Sequence, residues 1–293
     1  MKKIFCYVFV CFLFFPNLLP AQNIVYTEFV PDGKIELKYP VVLVHGIARN
    51  DSGRGVHPWG RISRILRDNG VEVYYGNTDA WGDIKSNAEL LKTTVDTILE
   101  NTGHEKVNII AHSKGGIDAR YFIWKYGYGN RVASLTTVAT PHGGSEMADF
   151  FFDLEVIQND SLRRSLQTIG RLFGDVNPDM YSTNHDLTTR NMKEFNENIT
   201  ADPGVYYQSV YSVMNNSMDD PFFYRSHSYI KNISGNNDGL VSERSARWGN
   251  NIIKLPNSLS HQQIIDQGMR RIPGMDIPNI YLNLVRELGK KGF

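Results

Sequence analysis

The stretch Lys106–Gly116 reads Lys-Val-Asn-Ile-Ile-Ala-His-Ser-Lys-Gly-Gly. Val107, Ile109 and Ile110 form a short run rich in β-branched residues, the pattern of a buried strand. A tight Ala-His-Ser-Lys-Gly turn follows, then a helical pattern from Ile117 to Tyr126. A serine on a sharp strand-to-helix turn, with a small residue two before it and two after, has the form of a nucleophile elbow, G-x-S-x-G. Ala111 stands where the first glycine usually sits and Gly115 fills the second small position. Alanine is small enough for the close approach of strand and helix that the turn demands. Taken alone, such a string also describes a small-residue turn without chemistry. The strand before it and the helix after it favour a nucleophile, and with it acyl transfer through Ser113.

A serine hydroxyl near neutral pH attacks poorly. It needs a histidine to take its proton and a carboxylate to hold that histidine in one tautomer. On folds built around this elbow the chain order is serine, then Asp or Glu, then histidine. Downstream of Ser113 stand His142, His185, His227 and His261. Asp238 followed by His261 meets the order, with a late strand pattern at 252–255 between them. By itself Asp238, in Asn-Asp-Gly, reads as a plain turn, and His261 reads as a surface residue after Ser258 and Ser260. Their value is joint. Asp219 and Asp220 are runner-up acids, with His227 as the matching base. An oxyanion also needs donors. The Lys114 N–H opens the helix after the elbow, and the Ile47 N–H follows the apolar run Val41–Val44 and His45-Gly46. His45 precedes the serine and reads as a structural histidine that holds this loop.

Apolar runs alternate with helical patterns through the first half of the chain. Strand patterns at 41–44, 71–75, 107–110 and 132–138 alternate with helix patterns at 61–68, 84–100 and 117–126. That alternation predicts a parallel sheet wound with helices on both faces, with the site beyond the carboxyl ends of its strands. The rhythm breaks over 145–180, an expected insertion above the sheet. There Leu162, Leu166, Ile169 and Leu172 recur at helical spacing with Phe173 beside them, and Arg163, Arg164, Gln167 and Arg171 cover the other side. The pattern predicts an amphipathic helix, which could be an ordinary helix docked on the core; the position of the insertion, leaving the sheet at the end that carries Ser113, favours a lid. Helix at 187–198, strand at 205–213 and a closing helix at 277–288 follow, while 222–233 is ambiguous between states.

Residues 1–21 carry Lys2 and Lys3, an apolar run from Ile4 to Phe15 and an end at Leu-Pro-Ala, the layout of a secretory signal peptide. Residues 22–293 then form a single domain. Both cysteines, Cys6 and Cys11, lie in the leader, so the exported chain is expected to have neither disulfide nor thiolate metal site. Without the leader the chain has 29 basic against 31 acidic side chains, a formal −2. With no basic run, this excludes nucleic acid as an expected partner.

Together, Pro40-Val-Val-Leu-Val-His-Gly, the Ala111–Gly116 elbow, Thr140-Pro-His-Gly-Gly-Ser-Glu, Leu187-Thr-Thr, Gly204-Val-Tyr-Tyr and Asn237-Asp-Gly-Leu-Val-Ser resemble, in order, the secreted bacterial triacylglycerol lipases. The resemblance runs from about Tyr39 to the C-terminus. It implies an α/β-hydrolase fold with Ser113 as nucleophile, Asp238 as orienting acid and His261 as base, and the Ile47 and Lys114 amides as oxyanion hole. It also implies an acyl-ester lipid as substrate, met at an oil–water interface, a secreted or periplasmic location, and an export foldase as a possible partner. Many relatives bind calcium through an aspartate ahead of the acid and another two residues after the histidine. Here the second position is Gln263, with Gln267 at the neighbouring ligand position, so the expectation is no cofactor, or a weak calcium site at Asp219 or Asp220. The function expected is a lipase. A short-chain carboxylesterase or polyester hydrolase with the same machinery is the nearer alternative, and a non-catalytic binding protein on a hydrolase scaffold the remote one.

Overall fold

The computed structural model describes residues 34–49, 51, 58–153, 159–160, 164, 167–168, 170–171, 174–255, 258–267, 272 and 275–293. The leader at 1–21 and the positions Leu162, Arg163, Leu166, Ile169, Leu172 and Phe173 of the expected lid helix lie outside them.

Six strands, β1 (Val41–Val44), β2 (Val73–Tyr75), β3 (Val107–His112), β4 (Val132–Val138), β5 (Tyr206–Tyr211) and β6 (Ile252–Lys254), form one sheet in the order β2-β1-β3-β4-β5-β6. Every pairing is parallel. Parallel neighbours need crossover connections, and the helices that provide them cover both faces. Strand alternation decides which residue feeds which face. Val41 and Leu43 join a core with Ile62 and Leu66 of α1 (Ile62–Asp68), while Val42 and Val44 join Ala88, Leu91 and Val95 of α2 (Ile84–Thr102) on the other side. The first core also takes Tyr281, Leu282 and Val285 from the closing helix at Ile277–Lys290, and the second takes Ala119, Phe122 and Ile123 from α3 (Lys114–Tyr126).

Strand order reverses between β1 and β3. From β1 the chain steps outward to β2, then crosses back to β3 and proceeds to β6. A crevice opens at such a switch point beyond the strand ends. The His45-Gly46-Ile47 loop and Ser113 both leave the sheet there, because Val44 of β1 is in register with Ala111 of β3.

Between β4 and β5 lie α4 (Glu146–Phe152), α5 (Met180–Asp186) and α6 (Thr189–Asn198). The chain between α4 and α5 is tied down just before α5 by two aspartates. Asp79 accepts the Val176 and Asn177 amides at 2.8 and 2.6 Å, and Asp175 accepts the Ala80 and Trp81 amides at 2.9 and 3.0 Å. The ambiguous segment 222–233 is mostly helical, as α7 (Tyr224–Ser234). Its apolar positions Tyr229 and Ile230 pack on Met147, Phe150 and Phe151 of α4, a contact the local pattern does not announce. No helix among the described residues is long and apolar enough to cross a membrane.

Candidate active site

Ser113 is the single residue between β3 and α3, and it has φ 55° and ψ −131°. This conformation is strained for a residue with a side chain and persists only where surrounding structure imposes it. The imposition comes from small neighbours. A Cβ on Gly115 would lie 2.3 Å from the His45 carbonyl oxygen, so glycine is what lets α3 start against β1. The helical pattern visible from Ile117 actually begins at Lys114, three residues earlier. The Lys114 amide is therefore the first N–H of a helix, where the dipole favours negative charge.

The Ser113 hydroxyl donates to His261 Nε2 at 2.9 Å, and the His261 Nδ1–H donates to Asp238 Oδ2 at 2.8 Å. All three side chains are buried, Ser113 at 7%, His261 at 6% and Asp238 at 3% exposed, which shields the contacts from water. Asp238 keeps its other oxygen for the turn it sits in. Oδ1 accepts the Leu240 and Val241 amides at 2.9 and 2.8 Å. The His261 backbone is held as well, its N–H on the Asp238 carbonyl at 2.8 Å and its carbonyl on His112 Nε2 at 3.0 Å. Burial above all, then the nearby His261, keeps the His112 imidazole neutral well below the ordinary histidine range. The two rings, 4.6 Å apart, thus avoid a like-charge clash when His261 is protonated.

Ile47 lies on the facing loop. A Cβ on Gly46 would sit 2.6 Å from Ser113 Cβ, so the loop can approach the serine only with glycine there. His45 is buried and braces the loop, with Nε2 on the Thr78 carbonyl at 3.0 Å and Nδ1 2.8 Å from the Gly46 oxygen. Behind the elbow, Lys114 Nζ bonds Asp118 Oδ1 at 2.6 Å in a buried i,i+4 pair, and Asn87 Nδ2 donates to the other oxygen at 3.0 Å. Burial pushes the Asp118 carboxyl up to about 6 despite the lysine. The pair was readable from its spacing. The roles of His112 and Asn87 were not, because both depend on contacts from distant parts of the chain.

The other histidines have different partners. His142 bonds Thr137 Oγ1 at 3.0 Å and accepts from Arg120 at 3.1 Å, with its ring stacked on Trp248. His185 accepts from Asn191 Nδ2 at 2.8 Å, and His227 bonds the Ser217 hydroxyl at 2.8 Å. Asp219 and Asp220 do not orient His227. Asp219 accepts the Asn215 and Asn216 amides at 2.8 and 3.1 Å, and Asp220 accepts Ser260 Oγ at 2.6 Å and Gln262 Nε2 at 2.9 Å.

Calcium is a poor fit to this donor set. Gln263 Oε1 already accepts the Ser260 amide at 2.9 Å and Gln267 Oε1 accepts from Arg49 at 2.8 Å. Among the described residues, no three His, Cys, Asp or Glu side chains gather as a metal site. A hard divalent ion needs six or more oxygens with carboxylate charge among them, and here the available oxygens are engaged by protein donors.

The family model for palmitoyl protein thioesterase matches residues 40–257. A triacylglycerol lipase of Pseudarthrobacter phenanthrenivorans is 36% identical over 175 residues, 55% of this chain and 54% of that protein. Triacylglycerol lipase 2 of Saccharomyces cerevisiae is 30% identical over 262 residues, 80% of this chain and 74% of that protein. The chain spans about half the length of the bacterial lipases it matches at 36% identity. In fold it is similar to the crystal structure of a Bacillus licheniformis lipase in its mature form, with TM-score 0.63 and 23% identity over 87% of this chain and 94% of that one.

Proposed function

The chain belongs to the palmitoyl protein thioesterase family and is homologous to bacterial triacylglycerol lipases, and from that premise we propose that it is a serine hydrolase of fatty-acyl esters, a lipase. The observation that carries the reading is the continuous hydrogen-bonded path Ser113–His261–Asp238 at 2.9 and 2.8 Å. His261 Nε2 takes the Ser113 proton as Oγ attacks the ester carbonyl. The Ile47 and Lys114 amides stabilise the oxyanion, a contribution of about 10²–10³-fold per donor. The imidazolium then gives its proton to the leaving alcohol, which departs as the acyl-serine forms. Water enters, His261 takes one of its protons, and the same steps release the fatty acid and restore Ser113. Asp238 stays ionised throughout and stabilises the imidazolium.

A second reading concerns the leaving group. The family model is named for a thioesterase, and an acyl thioester would use the same nucleophile, base and oxyanion donors. With residues 1–21 as an export leader the enzyme would be secreted or periplasmic, and 145–180 would form its lid.

A series of esters from acetyl to palmitoyl, soluble and emulsified, with an acyl thioester beside it and Ser113→Ala as control, tests the reading. A lipase prefers medium or long chains and gains rate sharply once a triglyceride exceeds its solubility limit. Preference for short soluble esters without that gain would make it a carboxylesterase. Hydrolysis unchanged in Ser113→Ala, or none of any substrate, would overturn the proposal.

A further inference from the structure

The segment that carries the base reads Ser258-Leu259-Ser260-His261-Gln262, and its side chains divide in two. Leu259, fully buried, belongs to the core between the sheet and the closing helix. His261 faces Ser113 and Asp238. The three alternate residues are polar, and each of them meets one of two consecutive aspartates. The Ser258 hydroxyl donates to Asp219. The Ser260 hydroxyl and the Gln262 amide both donate to Asp220 Oδ2, at 2.6 and 2.9 Å.

Asp220 is only 1% exposed. Its third side-chain contact is the Phe222 amide on Oδ1 at 3.2 Å, so all its hydrogen-bond partners among the described residues are neutral. A carboxylate buried without a cation is costly unless its oxygens are hydrogen-bonded. Bonds to an ionised acceptor are shorter and stronger than neutral ones. A buried carboxyl group with three hydrogen-bond donors is therefore placed where it grips residues 260 and 262, on either side of His261.

We propose that Asp220 is a positioning residue for the reaction: by clamping Ser260 and Gln262 it holds the His261 imidazole at the distance from Ser113 that proton transfer needs. The inference rests on the assignment of Ser113 and His261 above. A base must lie within about 2.6–3.2 Å of the proton's owner, and the 2.9 Å contact leaves little slack. The Asp238 carbonyl and His112 hold only the main chain of His261 itself. Asp220 grips the side chains of both its neighbours.

The test is steady-state kinetics on a soluble short-chain p-nitrophenyl ester, beside the rate at which a p-nitrophenyl phosphonate labels Ser113. Asp220→Ala should lower kcat by about 10²-fold, the usual effect of misplacing a reacting group by about 1 Å. KM should stay within about twofold of the parent, and labelling should slow in proportion to kcat. Asp220→Asn, which keeps one acceptor oxygen in place, should recover most of the loss. If Asp220→Ala does not fold, the double variant Ser260→Ala with Gln262→Met removes the same two bonds and should show the same pattern. Unchanged kcat in a folded variant, or a loss confined to KM, would overturn the proposal. Failure of the underlying assignment would show separately, as full activity in Ser113→Ala.

Discussion

At Asp238 one carboxylate oxygen accepts the Leu240 and Val241 amides while the other accepts the His261 Nδ1–H. The turn and the orientation of the histidine are thus two uses of one side chain. Asp238→Asn can present an NH₂ where the acceptor stood, favouring the wrong imidazole tautomer. It should lower kcat by roughly 10⁴-fold while the protein stays folded. His227→Ala should leave kcat near the parent value, since His227 bonds Ser217 and not a carboxylate. Burial, with a smaller contribution from Arg120, likewise keeps His142 neutral well below the ordinary histidine range. A histidine whose folded-state pKa is depressed contributes stability above its unfolded pKa of about 6.5 and loses it as pH falls. Asp118, pushed up to about 6, acts in the opposite sense, so the difference between variants is the clean quantity. Between about pH 6.5 and 5, denaturant-measured stability of His142→Gln should fall less steeply than that of the parent, by about 1.4 kcal/mol per pH unit. Equal slopes would mean that His142 takes up its proton without unfolding.

The loop between β1 and α1 and the turn between β3 and α3 face each other across the sheet's switch point, and the contact between them is as close as backbone allows. Gly46→Ala would press a methyl group against Ser113 Cβ, 2.6 Å away, and must displace one of the two. The expected result is a fall in kcat of about 10²–10³-fold, the loss of one oxyanion donor, with secondary structure by circular dichroism unchanged. Retained kcat would remove Ile47 from the proposed oxyanion hole. These elements were legible in the sequence because their signals are local. A continuous apolar run marks a strand buried on both faces, as at 41–44, and small residues flank a strained serine. Elements whose reason is distant were less legible. The apolar pattern marks α3 only from Ile117, since Gly115 and Gly116 are poor helix formers held there by packing, and it is the elbow turn that points to a helix opening at Lys114. The segment over Tyr224–Ser234 looked ambiguous because what makes it a helix is its contact with α4. The clamp from Asp219 and Asp220 joins residues some forty positions apart, and no spacing rule points to it.

For the whole molecule, the parallel sheet brings Ser113, Asp238 and His261 together at one end although they come from widely separated parts of the chain. The second half of the chain supplies Asp238 and His261, and the segment that carries His261 is fixed by the bond Asp220 accepts from Ser260, by His112 on the His261 carbonyl and by the fork of Arg61 on Asp266. Because the Gln263, Gln267, Asp219 and Asp220 oxygens that a calcium ion would use already accept protein hydrogen bonds, chelation should change neither ester hydrolysis nor melting temperature. A loss on chelation that calcium restores would contradict that reading. The central claim, that Ser113 is the nucleophile activated by His261, is tested most directly by covalent capture. Incubation with a p-nitrophenyl alkylphosphonate, followed by peptide mass analysis, should place a single phosphonyl group on the peptide containing Ser113. In Ser113→Ala labelling and ester hydrolysis should disappear together, and His261→Ala should slow both by orders of magnitude. A phosphonyl group on any other residue, or full hydrolysis by a protein whose Ser113 is wholly labelled, would contradict the account.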